Sequence, residues 1–242
     1  MHENIREKSV NLEIRLKEKL YSRMPDYVFS NDLFESWIKE SLKTSSIWID
    51  AGCGKNELVH EFCHLAPGGT GIDEVIHPEL LTSDDKFIRA DLKNIPLADE
   101  SVDTITANMV VEHITDIKAV LNEFSRILKK GGNFIFRTTN KWYPTLLLGH
   151  LFPKAVKDKI IYKVFGVNSH DIFKTSYPVN TLKDIRRTLP AYGYKIHRLL
   201  AVEDLHLFNP AVFEASYFFY KIQKRKLFQR LRNCIVCWAV KE

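Results

Sequence analysis

The chain has 242 residues, 45% hydrophobic and 27% charged, enough apolar material for a core of one α/β domain with an elaboration. With this composition neither disorder nor a disulfide scaffold is needed. The 35 basic and 30 acidic residues leave a net charge of +5, compatible with anionic substrates or lipid head groups but short of the basic footprint of a dedicated nucleic-acid binder.

Residues 4–24 place Ile5, Leu12, Leu16 and Leu20 among many charges, which predicts an amphipathic helix ended by Pro25. A second helix over Asp32–Leu42 puts Leu33, Phe34, Trp37 and Ile38 on one stripe. Together, residues 1–44 read as an N-terminal helical cap. Strand–helix alternation then begins. Ile47-Trp48-Ile49 is a strand running into Asp50-Ala51-Gly52-Cys53-Gly54, followed by a helix from Asn56 to Leu65. Further strands are Gly69–Ile72 ending at Asp73, Phe87–Ala90 ending at Asp91, and Val102–Ala107 ending at Asn108.

The helix over 116–130 carries Ile117, Val120, Leu121, Phe124, Ile127 and Leu128 on a 3.6-residue stripe. Asp116 suits its N-cap, Lys129 and Lys130 its C-terminal turn, and Gly131 the C′ position. Asn133–Thr138 is a fifth strand. Residues 140–178 break the rhythm with aromatic, Lys and Pro residues and are too long for a plain loop, so they read as an inserted lid. A helix over Thr181–Ala191 and strands over Lys195–Val202 and Asn233–Lys241 resume the alternation. Such repeats predict a doubly wound, mostly parallel seven-stranded sheet in a domain spanning 45–242.

In an open sheet of this kind, ligands bind beyond the carboxyl ends of the strands. Asp50, Asp73, Asp91 and Asn108 each close one of the first four strands. The glycines of Asp50–Gly54 let backbone approach a ligand closely. A dinucleotide fingerprint would need glycine at position 57, where Glu57 instead sets a carboxylate against a pyrophosphate. That disfavours NAD and favours an uncharged or zwitterionic nucleoside. Asp73 can accept both hydroxyls of a ribose, or serve as a surface turn acid.

The run Asp50-Ala51-Gly52-Cys53-Gly54, Gly71-Ile72-Asp73, Ala90-Asp91-Leu92, Ile95-Pro96-Leu97, Ser101-Val102-Asp103, Val111-Glu112-His113-Ile114 and Leu128-Lys129-Lys130-Gly131-Gly132 resembles the class I S-adenosylmethionine (SAM)-dependent methyltransferases, type 11 subgroup. The resemblance covers roughly residues 45–140. It implies a Rossmann-like fold, SAM as cofactor and methyl transfer. By it, Gly52–Gly54, with Asp50, Ala51 and Cys53, would hold the methionine part, and Asp73 the ribose with Glu74 beside it. Asp91 and Leu92 would border the adenine, and Asn108 would line the methionine side. Asn56 stands where many members carry a third glycine, but Asn tolerates left-handed geometry and caps helices. A weaker similarity, in Arg137–Pro144, Ser169-His170-Asp171 and Tyr177–Thr181, is to methyltransferases of glycan and lipid modification.

Transfer to a hydroxyl is helped by a positioned base. His113, just after the fourth strand, is the first candidate, or else packs beside the following helix. His170 with Asp171 is the second, or else shapes the lid. His60-Glu61-Phe62-Cys63-His64 matches a zinc-protease pattern. However, Leu58, Phe62 and Leu65 form the expected buried stripe, so both histidines should face solvent without a third ligand, and no metal is expected. Cys234 and Cys237 sit in a strand, where residues three apart point to opposite faces.

The basic and aromatic stretch 208–232 reads as a helix packed on the sheet, or as a peripheral contact with an anionic membrane. Four cysteines, an N-terminus without an apolar run, and no apolar stretch of about 20 residues lead us to expect a cytoplasmic protein with free thiols. The partner expected is a small-molecule, glycan or lipid substrate rather than nucleic acid. RNA methylation, NAD-dependent oxidoreduction and non-catalytic SAM binding are the alternatives.

Overall fold

The computed structural model describes residues 2–78, 86–144, 146 and 175–242. Two helices come first, α1 (His2–Arg23) and α2 (Ser30–Leu42). They are followed by β1 (Trp48–Ala51), α3 (Glu57–Phe62), β2 (Thr70–Asp73), β3 (Phe87–Arg89) and β4 (Val102–Asn108). Then come α4 (Ile117–Ile127), β5 (Leu128–Thr139), α5 (Leu182–Thr188), β6 (Tyr194–Val202), α6 (Pro210–Gln223) and β7 (Cys234–Lys241).

The strands form one seven-stranded sheet in the order β3-β2-β1-β4-β5-β7-β6. β1 to β5 run parallel, and β7 lies antiparallel between β5 and β6. The chain winds outward from β1 to β3, then returns to β4 on the other side of β1. The switch point therefore falls between β1 and β4, and the crevice at their carboxyl ends is where such sheets take ligands.

Alternating strand residues supply two core layers. One face carries Ile49, Ile105, Phe134, Phe136 and Ile235 against the α4 stripe of Val120, Leu121, Phe124 and Ile127 and against Ile185 of α5. The other face carries Trp48, Ile135, Val236 and Trp238 against Phe34, Trp37, Ile38 and Leu42 of α2 and Val59 and Phe62 of α3. Full burial of Phe34, Ile38 and Leu42 contributes about 1.5–3 kcal/mol each, which outweighs any helix propensity in fixing α2. Cys237 shares the first face with Ile235 and Ala239, whereas Cys234 sits on the other; both thiols are free.

Three local expectations are corrected. Helix α4 is capped by Asp116, whose Oδ1 accepts from Ala119 N at 3.1 Å, but it ends at Ile127 rather than running to 130. Leu128 takes extended angles and pairs with Val102, so Lys129 belongs to β5 and forms an ion pair with Asp103 at 2.7 Å. In α3 the buried positions are Val59 and Phe62, while Leu65 is exposed, because the helix stops at Phe62. Helix α6 does not lie on the sheet: Phe213 joins Leu16, Leu20, Met24, Tyr27 and Leu205 in a separate cluster, so the helix packs on α1. Glu214 of α6 reinforces that contact with Lys19 at 2.6 Å and Arg23 at 2.8 Å.

Most of the expected lid, His170 and Asp171 included, lies outside the described residues. Among those described, no helix is long and apolar enough to cross a membrane.

Candidate functional site

The site is assembled around the turn that leaves β1. Asp50 is 3% exposed, and its Oδ1 accepts from Thr106 Oγ1 at 2.7 Å; the Trp48 indole donates to that same Thr106 oxygen at 2.9 Å. Burial pushes the Asp50 carboxyl up to about 7; the Thr106 hydrogen bond opposes the shift and the nearby Asp73 charge adds to it. Asp50 thus sits beneath the turn as a group that holds its proton at mild acidity.

The chain then bends sharply. Gly52 has φ +70° and Gly54 φ +54°, angles at which an L side chain is strained. The backbone amides of Gly52 and Cys53 both donate to the Ile72 carbonyl, at 2.7 and 3.1 Å, which ties the turn to β2. A Cβ on Gly52 would stand 2.5 Å from Val110, so the turn lies against the chain leaving β4. A Cβ on Gly54 would meet nothing within 4 Å, so open space lies on that side of the residue. Asn56 is left-handed at φ 64°, as a third glycine would be, but its side chain does not cap α3. Instead it is fully buried over Gly71, and its Oδ1 has no hydrogen-bond partner.

Asp73, at the end of β2, closes the turn. Its Oδ2 accepts from Gly54 N and its Oδ1 from Val75 N, each at 3.0 Å. A carboxylate oxygen has two lone-pair positions, so each retains one for a ligand hydroxyl. Glu74 beside it is exposed, and its carbonyl accepts from Arg89 Nε at 3.1 Å. Asp91 follows β3, next to β2, through Ala90 N donating to the Asp73 carbonyl at 3.1 Å. The Lys93 amide, then its ammonium at 3.1 Å, hold the Asp91 carboxyl below its ordinary range. Leu92 is half-buried against the core layer that carries α4. Burial, together with Asp50 and Asp73, pushes the Cys53 thiol up, so it is no nucleophile.

On the other side of β1, Asn108 ends β4. Its Oδ1 accepts from Arg137 Nε at 2.8 Å, and Arg137 donates through Nη1 to Ser30 Oγ at 3.0 Å. Ser30 in turn binds Asp204 through its amide at 2.6 Å and its hydroxyl. Met109 is left-handed at φ 56° and sends the chain into a 3-10 turn, Val111–His113. His113 is half-buried there, one residue beyond Glu112. Glu112 is 2% exposed and accepts from Thr138 Oγ1 at 2.6 Å, while its carbonyl accepts from the amides of Ser176 and Tyr177.

The structure therefore brings Gly52–Gly54 and Asp73 into one hydrogen-bonded turn at the switch point, with Asp50 tied to Thr106 at its start and Asn108 and His113 following the neighbouring strand. Asp91 and Leu92 lie beyond β2, on the far side of Asp73. Thr106, Arg137, Ser30 and Glu112 went unassigned by sequence reasoning. Thr106 had a signal, since it shares a strand face with Asn108. His60 and His64 are exposed, and His64 Nδ1 lies 3.0 Å from the Glu61 carbonyl.

Comparisons with known proteins bear on this group. Residues 49–136 match the family model described as "Methyltransferase domain". A malonyl-[acyl-carrier protein] O-methyltransferase of Yersinia pestis is 29% identical over 99 residues, 39% of this chain and 37% of the relative. A demethylmenaquinone methyltransferase of Roseiflexus sp. is 24% identical over 155 residues, 56% of this chain and 65% of the relative. This chain thus matches less than two thirds of either relative's length. Among solved structures, a geranyl diphosphate C-methyltransferase from Streptomyces coelicolor, crystallised with S-adenosylhomocysteine (SAH), superposes with a TM-score of 0.59 at 14% identity. That match covers 95% of this chain and 83% of the other.

Proposed function

We propose, from the premise that residues 49–136 are a class I methyltransferase domain, that this chain transfers a methyl group from SAM to a small-molecule acceptor. The observation that carries the reading is the Asp50–Gly54 turn closed onto Asp73, with open space over Gly54. That cradle fits a nucleoside with a zwitterionic tail. Gly52–Gly54 would hold the methionine part, Asp73 the ribose with Glu74 beside it, Asp91 and Leu92 the adenine edge, and Asn108 the methionine side. Asp50, kept largely protonated below about pH 7, adds little negative charge beneath the turn.

When bound, SAM supplies an activated methyl on a sulfonium. The protein's own contribution is alignment and exclusion of water. The Arg137–Asn108 hydrogen bond fixes the Asn108 amide, and the buried Glu112–Thr138 pair fixes the turn that bears His113. We assign His113 as the base that takes the acceptor's proton, with His170 as second candidate. The acceptor atom we favour is a hydroxyl oxygen of a glycan or lipid; a relative named an O-methyltransferase supports oxygen as the acceptor atom. We read 1–44 as a cap, 140–178 as the acceptor-selecting lid, and the cytoplasm as the compartment, in keeping with four free cysteines.

A thermal shift series tests this. At hundredfold excess over Kd, SAH should add about 2.7 kcal/mol, several degrees in Tm for a chain of this size. Asp73→Ala should lose that shift. Absence of stabilisation by SAM and SAH, or a larger shift with NAD, refutes the cofactor assignment. Unchanged turnover in His113→Ala removes that residue as base.

A further inference from the structure

The outward face of α6 takes no part in the contact with α1 or in the switch-point turn. Phe213, Ser216 and Gln223 are buried on its inner side, whereas Ala211, Ala215, Phe218 and Ile222 are exposed. These four are spaced i, i+4, i+7 and i+11, so they form one apolar stripe along the helix. Phe218 is 67% exposed, more than any other large hydrophobic side chain among the described residues, and Ile222 is 38% exposed.

Positive charge is concentrated at the same place. Residues 215–232 contain six basic residues and no acidic one. Lys221, one turn beyond Phe218, and Lys224, Arg225 and Arg230, beyond Ile222, are all exposed, and none of them forms an ion pair among the described residues. Lys221 and Lys224 instead lie over the rings of Tyr217 and Tyr220, at 4.7 and 5.6 Å, contacts that leave their charge unneutralised. Glu214, the last acidic residue before this stretch, is taken up by Lys19 and Arg23. Asn140 donates to the carbonyls of Arg230 and Arg232 at 2.8 and 2.7 Å, which fixes the basic segment at the carboxyl end of β5.

An apolar stripe beside unpaired cations is the pattern of a helix that lies in the plane of a membrane interface. A nucleic acid would match the charge, but Ala211, Ala215 and Ile222 offer its phosphates no donor and its bases no ring. We propose that this face docks peripherally on an anionic phospholipid surface. Phe218 and Ile222 sit at the acyl boundary, and Lys221, Lys224 and Arg225 lie among the head groups. The inference needs neither the cofactor assignment nor methyl transfer.

The test is flotation of the full chain with vesicles of phosphatidylcholine, alone or with about one third phosphatidylserine. Binding should require phosphatidylserine. It should weaken about tenfold or more between about 0.1 and 1 M NaCl, as the Debye length falls from about 10 to about 3 Å. Lys221→Gln and Arg225→Gln should each weaken it about fivefold, the equivalent of about 1 kcal/mol per charge near such a surface. Phe218→Ser should weaken it about tenfold or more. All three positions are exposed, so Tm should stay at the wild-type value. Phe218→Trp should add emission that brominated acyl chains quench, a readout that requires no loss of binding. No binding to either vesicle, equal binding to both, no effect of Phe218→Ser, or added emission that brominated chains leave unquenched overturns the proposal. Tighter binding to polyuridylate than to the anionic vesicles also overturns it and assigns the face to nucleic acid.

Discussion

Substituting Gly52 by alanine separates two physical effects that the turn combines. At φ +70° alanine enters the left-handed region, at a cost of about 1–2 kcal/mol. Its Cβ would also stand 2.5 and 2.8 Å from the two γ-carbons of Val110, and overpacking of this kind costs about 1–3 kcal/mol. Gly52→Ala should therefore lose about 2–5 kcal/mol in urea denaturation. Gly54→Ala, at φ +54° with nothing within 4 Å of its Cβ, should lose only the backbone part, about 1–2 kcal/mol. Val110→Ala placed in the Gly52→Ala background should recover about 1–3 kcal/mol relative to its effect in the wild type, as a double-mutant cycle measures. The SAH isotherm should rank the pair in the opposite order per unit of stability lost, because the Gly54 Cβ would project into the open space of the cradle. Equal destabilisation by the two alanines, or no coupling between positions 52 and 110, would refute the reasoning.

Asp50 makes stability depend on pH. Its folded value of about 7 exceeds the unfolded value of about 3.9. Its stabilising contribution is complete below pH 4 and disappears as pH rises to 7, with a slope of about 1.4 kcal/mol per unit and at most about 4 kcal/mol in all. Asp50→Asn, which can still accept from Thr106, should lack this part of the slope when denaturation is compared across that range. Asp116→Ala removes the α4 cap and should cost about 1 kcal/mol by urea titration; no loss would mean that the Ala119 amide finds water equally well. Among the cysteines, exposed Cys63 should react first with a disulfide reagent in the native state. Cys234, pushed up to about 12 by burial, should react only on unfolding.

The sheet and the turn at its switch point were legible because their signals are local. Asp50, Asp73 and Asn108 each stand where an apolar run stops, and that position alone places them at one end of a parallel sheet. The end of α4 was not legible, since Leu128 satisfies the helical stripe and the strand equally and only its pairing with Val102 decides. The partner of α6 was hidden for a related reason. A stripe containing Phe213 says that a face is buried, not whether a sheet or α1 buries it. The Arg137–Ser30–Asp204 series joins residues 107 and 174 positions apart, separations at which sequence spacing carries no information.

The antiparallel placement of β7 has a consequence for biogenesis. The latest strand in chain order inserts between two earlier ones, pairing with β5 over Asn133–Thr139 and with β6 over Tyr194–Val202. During synthesis, Phe134, Ile135 and Phe136 must therefore wait with an open strand edge until more than ninety further residues have emerged. At bacterial or eukaryotic elongation rates, about 5–20 residues per second, that interval is several seconds or longer. An apolar unpaired edge is a template for intermolecular pairing over that time. Nascent chains stalled before Cys234 should therefore depend on a holdase for solubility, and released full-length chains should not.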